Sequence, residues 1–544
     1  VLVLSTLSVL CALTALYENF NEGYAKMHSG FATLDYGILV IYLLLTLGIG
    51  FYFTRKQKSL DDYFVAARNA PWWAVGISII ATDLSAISYL GAPGYVFGKD
   101  LQLGMGILLF PFIMLLVVYL FVPFLARLRL FTVYEYLGKR FSVSVRLLAS
   151  ALFLLIRGGW LATAIYAQGL ALSVITGMNF YLAVILISGL TGIYTVLGGM
   201  EAVLWTDVMQ FFVLVGGILI MLGAVLFSFH GDVGRIWQIA SDAGHTKMIT
   251  GGFSWTEITV WGLIGFNVIT VLNSYGSDQL IVQRYLTAGN KKAMTGAVMF
   301  NGIVTLPVTL ALSLLGVALF AYYHTHPVLA QSLVGSDKVV PHFITHALKP
   351  GLSGIVVAGI FAATMSSLSS GFNSLSTATI IDFYKRINPG ISDTDAHSVK
   401  AARWCTLLWA TFGTIAAMNV KMLGTIPEIM GKINGFIAGP LIAIFLLGVL
   451  TKRTNTIGVL SGAIIGTFVT AAAAKFHMSW IWFGPVGCAT TMLLGYVISF
   501  LGKAPAADDI YGLTLATYKS IDDSDALAAK NAIEHPVPAD EPQA

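Results

Sequence analysis

Charge is what this chain has least of. Asp, Glu, Lys and Arg make up 11% of its 544 residues, where a soluble domain carries about 25%. That excludes an ordinary water-facing fold. The net charge of +4 is modest, and it suits basic loops on one side of a membrane better than nucleic-acid binding. Cysteine is scarce too: Cys11, Cys405 and Cys488 stand far apart, which offers neither a disulfide framework nor a CxxC metal pair. There is no Walker motif, no GxSxG and no HExxH, so neither ATP hydrolysis nor enzyme catalysis is expected.

What is present in excess is apolar. Hydrophobic residues are 57% of the chain and mean hydropathy is +0.80. That is the profile of an all-α polytopic membrane protein, in which 55 glycines allow close helix packing and broken helices. Residues 1–17 are apolar but lack a basic n-region, so a signal sequence, an extra helix and a misassigned start are all open. Beyond a polar stretch ending at residue 33, about thirteen spans are expected. They fall near 34–54, 72–97, 103–125, 145–175, 180–198, 203–228, 255–284, 293–322, 352–382, 402–419, 427–450, 456–475 and 480–501.

Basic residues follow the odd-numbered spans: Arg55, Lys56 and Lys58; Arg127, Arg129, Lys139 and Arg140; Arg284, Lys291 and Lys292; Lys385 and Arg386; Lys452 and Arg453. The positive-inside rule then starts the first span outside and leaves the C-terminus in the cytoplasm, in a multi-pass protein of the inner (plasma) membrane. The tail 503–544 sets Asp508, Asp509, Asp522, Asp523 and Asp525 among Ala and Pro, and reads as disordered.

One apolar span carries a polar seam. In Ala362 to Asn373, AATMSSLSSGFN, the residues Ser366, Ser369, Ser370 and Asn373 fall at i, i+3, i+4 and i+7 and share a helix face, with Ser367, Gly371 and Ser374 beside them. Hydroxyls are hard, uncharged donors suited to an alkali cation that must be released again. A lone serine would more often mark close helix packing. Five serines within nine residues point instead to half of a cation site.

Two other spans are poor continuous helices. The second holds Asp83 among Thr82, Ser85 and Ser88 and then meets Gly91, Pro93 and Gly94; the seventh holds Asn273, Ser274, Gly276, Ser277, Asp278 and Gln279. Broken backbone at membrane depth needs a cavity or protein to satisfy it. The interruptions lie five spans apart, as two inverted five-helix repeats would place them, each with a discontinuous first helix.

Three further residues stand out. Asp207 in VLWTDVMQFF is either a buried carboxylate awaiting a cation or an interfacial one beside its loop. Arg157 in LFLLIRGGW can meet a substrate carboxylate, pair with an acid such as Asp83, or snorkel; Trp160, one turn on, can stack a substrate or pack. His324, His326, His342 and His346 have superficial zinc spacing but no acidic or cysteine company, and read as solvated loop residues.

The sequence resembles the sodium:solute symporter family. The matching pieces are Asp61-Asp62-Tyr63-Phe64, Pro71-Trp72-Trp73-Ala74, Val133-Tyr134-Glu135-Tyr136-Leu137 with Arg140-Phe141, and Tyr194-Thr195 with Gly198-Gly199. Trp205-Thr206-Asp207-Val208, Val282-Gln283-Arg284, Ser366-Ser367 with Asn373-Ser374, and Asp382-Phe383-Tyr384-Lys385 follow in family order. The resemblance implies a LeuT-like fold: repeats over 72–228 and 255–450, an extra helix at 34–54 and extra helices over 456–501. It implies a first sodium site from the carbonyls of Ala81, Leu84 and Ala363 and the hydroxyls of Ser366 and Ser367. A second sodium site, as in the bacterial sialic-acid type, falls on Asp207, Ser366, Ser369 and Ser370. Asp83 matches an acidic position of proline-type members, where it would tune the first site.

The solute should sit between the broken spans, lined by Ser85, Ser88, Arg157, Trp160, Asn273 and Ser274. Departures limit the transfer: the sialic-acid type's substrate arginine falls on Trp160 and its nearby glutamine on Ile107, and the galactose type's gating tyrosine falls on Ser274. The expectation is a monomeric symporter, not an enzyme, importing a small organic solute by alternating access with sodium, two ions, and a carboxylate or sugar acid such as sialic acid. A neutral sugar, an amino acid such as proline, proton coupling, or a sensor-like homologue are the alternatives.

Overall fold

In a bilayer every backbone N–H and C=O must find an internal partner, so long apolar runs become helices. The computed structural model describes residues 32–518 apart from 334, 391 and 420–425, and no strand occurs among the described residues. The apolar segment 1–17 and the tail beyond 518 lie outside the described residues. Among the described residues seven helices are long and apolar enough to cross a membrane, or nine if each of two bent pairs is one span.

The helices that position the site are α1 (Thr33–Phe53), α2 (Trp72–Asp83), α3 (Ala86–Gly98), α4 (Phe110–Leu120), α5 (Val122–Leu128), α6 (Tyr134–Arg140), α7 (Val143–Thr176) and α8 (Phe180–Ser228). They continue with α9 (Val260–Gly276), α10 (Gln279–Leu286), α11 (Lys291–Thr325), α12 (Leu352–Ala378), α13 (Ala396–Asn419), α14 (Ile426–Leu450), α15 (Thr456–Lys475) and α16 (Phe483–Ile498). Two expected spans, 180–198 and 203–228, lie within the single element α8. It breaks at Gly199, where φ is 58° and ψ is −154°. Only glycine adopts that backbone freely, and a Cβ there would also lie 2.8 Å from the Tyr63 carbonyl.

The serine-rich α12 is the axis of the bundle. Its apolar window is 89% buried, against 33–50% in the other six spanning helices. It packs on α8 most extensively, and on α1, α2, α7 and α13. Both of its ends are tied by carboxylates. The fully buried Asp35 of α1 accepts the N–H groups of Gly351 and Gly354 at 2.7 Å each, satisfying donors that a helix N-terminus leaves open. Beyond Ala378 the chain makes a π-turn over Thr379–Tyr384. There Asp382 accepts from Arg146 Nε at 2.7 Å, Ser150 Oγ at 2.8 Å and Thr132 Oγ1 at 3.0 Å, which ties α12 to α7 and the approach to α6.

The second span is broken earlier than Gly91, Pro93 and Gly94 suggest. Those three lie inside α3, and the helix stops at Leu84 (ψ 69°) and Ser85 (ψ 165°), with α2 and α3 bent by 56°. The seventh span breaks at Ser277 and Asp278, between α9 and α10.

Candidate ion and solute site

Where α2 ends, its last carbonyls leave the helix ladder and become available to other partners. Across the gap, Ser366 Oγ donates to the Ala81 carbonyl at 2.7 Å and Ser367 Oγ to the Thr82 carbonyl at 2.9 Å. Both hydroxyls also reach the Ala363 carbonyl at 3.2 Å. The structure thus joins Ala81, Ala363, Ser366 and Ser367 and adds Thr82; Leu84 is the buried residue at the break itself. Every donor in this set is a neutral oxygen, a composition that suits a hard monovalent cation.

One turn along α12 the chemistry changes. Ser370 Oγ lies 3.0 Å from Thr82 Oγ1 and also takes a hydrogen bond from Arg284. Arg284 and Asp207 are both wholly buried and form an ion pair at 3.0 Å, with Ser78 Oγ donating to the same carboxylate oxygen at 2.5 Å. Arg284 further donates to Ser78 Oγ at 3.0 Å and to the Leu280 carbonyl at 2.9 Å. Asp207 therefore has a protein cation as its partner. Among the described residues its other oxygen, Oδ1, is buried and accepts no hydrogen bond. Ser369 Oγ donates to the Ser366 carbonyl of its own helix at 3.0 Å and neighbours the Tyr194 hydroxyl of α8. Further along, Gln283 Nε2 donates to Asn373 Oδ1 at 2.7 Å and Thr377 Oγ1 at 2.8 Å, seating α10 against the end of the seam.

Of the expected solute residues, Asn273 and Ser274 precede the second break and Arg157, with Trp160 beside it, packs against it, whereas Ser85 and Ser88 lie at the first. Arg157 of α7 forms an ion pair with Asp278, not Asp83, and its guanidinium stands 5.2 Å from the Trp160 ring. Asp278 also caps α10 through the Leu280 N–H at 3.1 Å. Asp83 accepts from Tyr275 Oη at 2.7 Å, and Asn301 Nδ2 donates to that hydroxyl at 2.5 Å. Ser277 Oγ donates to Asn273 Oδ1 at 2.8 Å. Among the described residues no hydrogen bond reaches the side chains of Ser85, Ser88 or Ser274.

Residues 63–466 match the model of the sodium:solute symporter family. The chain belongs to that family. The sodium/sialic acid symporter SiaT of Proteus mirabilis is 32% identical over 483 residues, covering 88% of this chain and 96% of SiaT. The sodium/sialic acid symporter NanT of Aliivibrio fischeri is 31% identical over 479 residues, covering 87% and 94%. A Na+-coupled sialic acid symporter, solved in a substrate-bound outward-open state with a novel Na+ site, superposes with a TM-score of 0.82 at 30% identity, covering 87% of this chain and 99% of that one.

For this symporter, sequence reasoning missed Arg284, Asp278, Tyr275 and Ser78. Arg284 is a correction: it is not a loop cation at a span exit but the buried centre of α10, a helix whose eight residues are all buried. A signal was present, since Gln279, Gln283 and Arg284 lie at i, i+4 and i+5 and so put polar groups on adjoining faces of a short helix. Asp278 stood in the polar run of the seventh span, but its pairing with Arg157, 121 positions away, is tertiary.

Proposed function

We propose that this symporter imports a small acidic solute of the sugar-acid class, such as sialic acid, by sodium-coupled alternating access. The observation that carries the reading is the bridge of Ser366 and Ser367 hydroxyls to the Ala81 and Thr82 carbonyls. Sodium in that gap takes the lone pairs that now serve hydrogen bonds, and so couples the broken second span to α12. The first site comprises Ala81, Leu84, Ala363, Ser366 and Ser367, tuned by Asp83. A second ion binds at the bare Oδ1 of Asp207 with Ser366, Ser369 and Ser370. Each charge entering down 100 mV contributes about 2.3 kcal/mol, roughly fortyfold accumulation, and a second charge squares that factor.

The solute lies between the two breaks, on Ser85, Ser88, Arg157, Trp160, Asn273 and Ser274. Its carboxylate draws Arg157 from Asp278, a bidentate pairing that the guanidinium fork favours. The two sialic acid relatives support the class. A neutral solute is the second reading, favoured by Arg157 already having an ion partner. The repeats are 72–228 and 255–450 within about thirteen spans, with 34–54 and 456–501 added. The protein works as a monomer in the inner membrane with a cytoplasmic C-terminus and tail.

The test is uptake into proteoliposomes under an inward sodium gradient. Accumulation of a sugar acid that vanishes in potassium is expected, and equal accumulation in potassium overturns the reading. Arg157→Gln should lower uptake of the acid at least about a hundredfold through loss of a charge-assisted pair; undiminished uptake of the acid would remove Arg157 from the solute site.

A further inference from the structure

Away from the solute path, a cavity of about 580 Å³ opens where three segments meet. Thr54, Gln57 and Lys58 follow α1, Val196 and Leu197 precede the Gly199 break of α8, and the remaining wall is the first three turns of α13. Lys58, Lys400 and Arg403 line it and no carboxylate does. Among the described residues none of these three cations is in an ion pair, and Glu201 is engaged by Lys56 at 3.6 Å.

Two lining groups are buried and unsatisfied. Arg403 reaches the Thr54 and Leu197 carbonyls only at 3.3 and 3.4 Å, and its Nε–H has no acceptor. Gln57 is 8% exposed, and its Oε1 accepts no hydrogen bond. Such orphans are costly unless a ligand meets them, and here the ligand must bring an acceptor anion and a hydrogen-bond donor. Beyond the mouth, Trp404, Leu408, Phe412 and Ile415 of α13 are exposed in one stripe, at i, i+4, i+8 and i+11. A basic pocket between helices, opening on an apolar track with a tryptophan at its rim, has the chemistry of a lipid site.

We propose that this cavity binds an anionic phospholipid with a free headgroup hydroxyl, of the phosphatidylglycerol class. The phosphate meets Lys58, Lys400 and Arg403, the headgroup hydroxyl donates to Gln57 Oε1, and the acyl chains follow the Trp404 to Ile415 stripe. The site stands apart from the transport path, so it holds whatever the solute is.

The test uses the purified full chain in phosphatidylcholine nanodiscs with and without phosphatidylglycerol, reading lipid retention by native mass spectrometry and the thermal midpoint. Wild type should retain phosphatidylglycerol and melt higher with it. Lys58→Gln/Lys400→Gln should weaken that retention roughly thirtyfold and abolish the shift. Arg403→Gln should weaken retention about fivefold, and the lysine pair decides the matter if that variant does not fold. A preserved sodium-dependent thermal shift verifies the folding of each variant and tests the transport reading separately. Soluble glycerol phosphate should not reproduce the shift. Retention no better than that of phosphatidylcholine, undiminished retention in the folded variants, or an equal shift from glycerol phosphate would each overturn the proposal.

Discussion

Two neighbouring faces of α12 reach the broken second span by opposite means. On one, Ser366 and Ser367 meet the Ala81 and Thr82 carbonyls, and no charge takes part. On the other, Ser370 joins a buried pair, Asp207 and Arg284, whose charges already cancel. An ion can enter the first face and exchange one set of oxygen contacts for another. At the second, sodium adds a net charge to a neutral pair in a low-dielectric interior, so it must share Asp207 with Arg284 or move it aside. The lesson is that presence of the expected ligand types does not make two sites equivalent. A resident guanidinium sets the second one's threshold.

Removing that guanidinium separates the faces most sharply. Arg284→Gln leaves a buried carboxylate unpaired, and stability in potassium buffer should fall by about 3–5 kcal/mol. Sodium should restore part of the loss by replacing the missing cation, read as a larger sodium-dependent shift in the melting midpoint than wild type gives. A sodium-dependent shift no larger than that of wild type would show that Asp207 takes no sodium. A smaller effect is expected at the neutral face, where Ser367→Ala should raise half-saturating sodium about tenfold in uptake assays. If half-saturation does not move, that hydroxyl is a packing contact alone. Smallest is Ser369→Ala: its hydroxyl bonds its own helix and neighbours the Tyr194 hydroxyl, so folding should change by only about 1 kcal/mol. The Hill coefficient for sodium should nevertheless drop towards one, and an unaltered coefficient would remove Ser369 from the second site.

Which parts were legible follows the range of the interactions. The helix expected at 456–475 is Thr456–Lys475, because a long apolar run in a bilayer has one local solution. The seam was legible for the same reason, as helical periodicity fixes which serines share a face. The break at Leu84 and Ser85 was not. No helix breaker stands there, and the opened carbonyls are held by hydroxyls 285 positions away. Pro93, the stronger local signal, sits inside a helix. Charge misled in a similar way: a basic residue near a span end reads as a loop cation unless its partner is known, and Asp207 lies 77 positions from Arg284.

Burial on every side of α12 leaves evolution a short alphabet along it. A Cβ at Gly371 would lie 3.2 Å from Leu161 Cδ1, and Ser366, Ser367, Ser369 and Ser370 are buried, so larger residues fit there only if their neighbours shift. Arg157, Trp160, Asn273 and Ser274 are only half enclosed and tolerate changes in size. Descendants of such a scaffold should vary at these four positions long before they vary along α12.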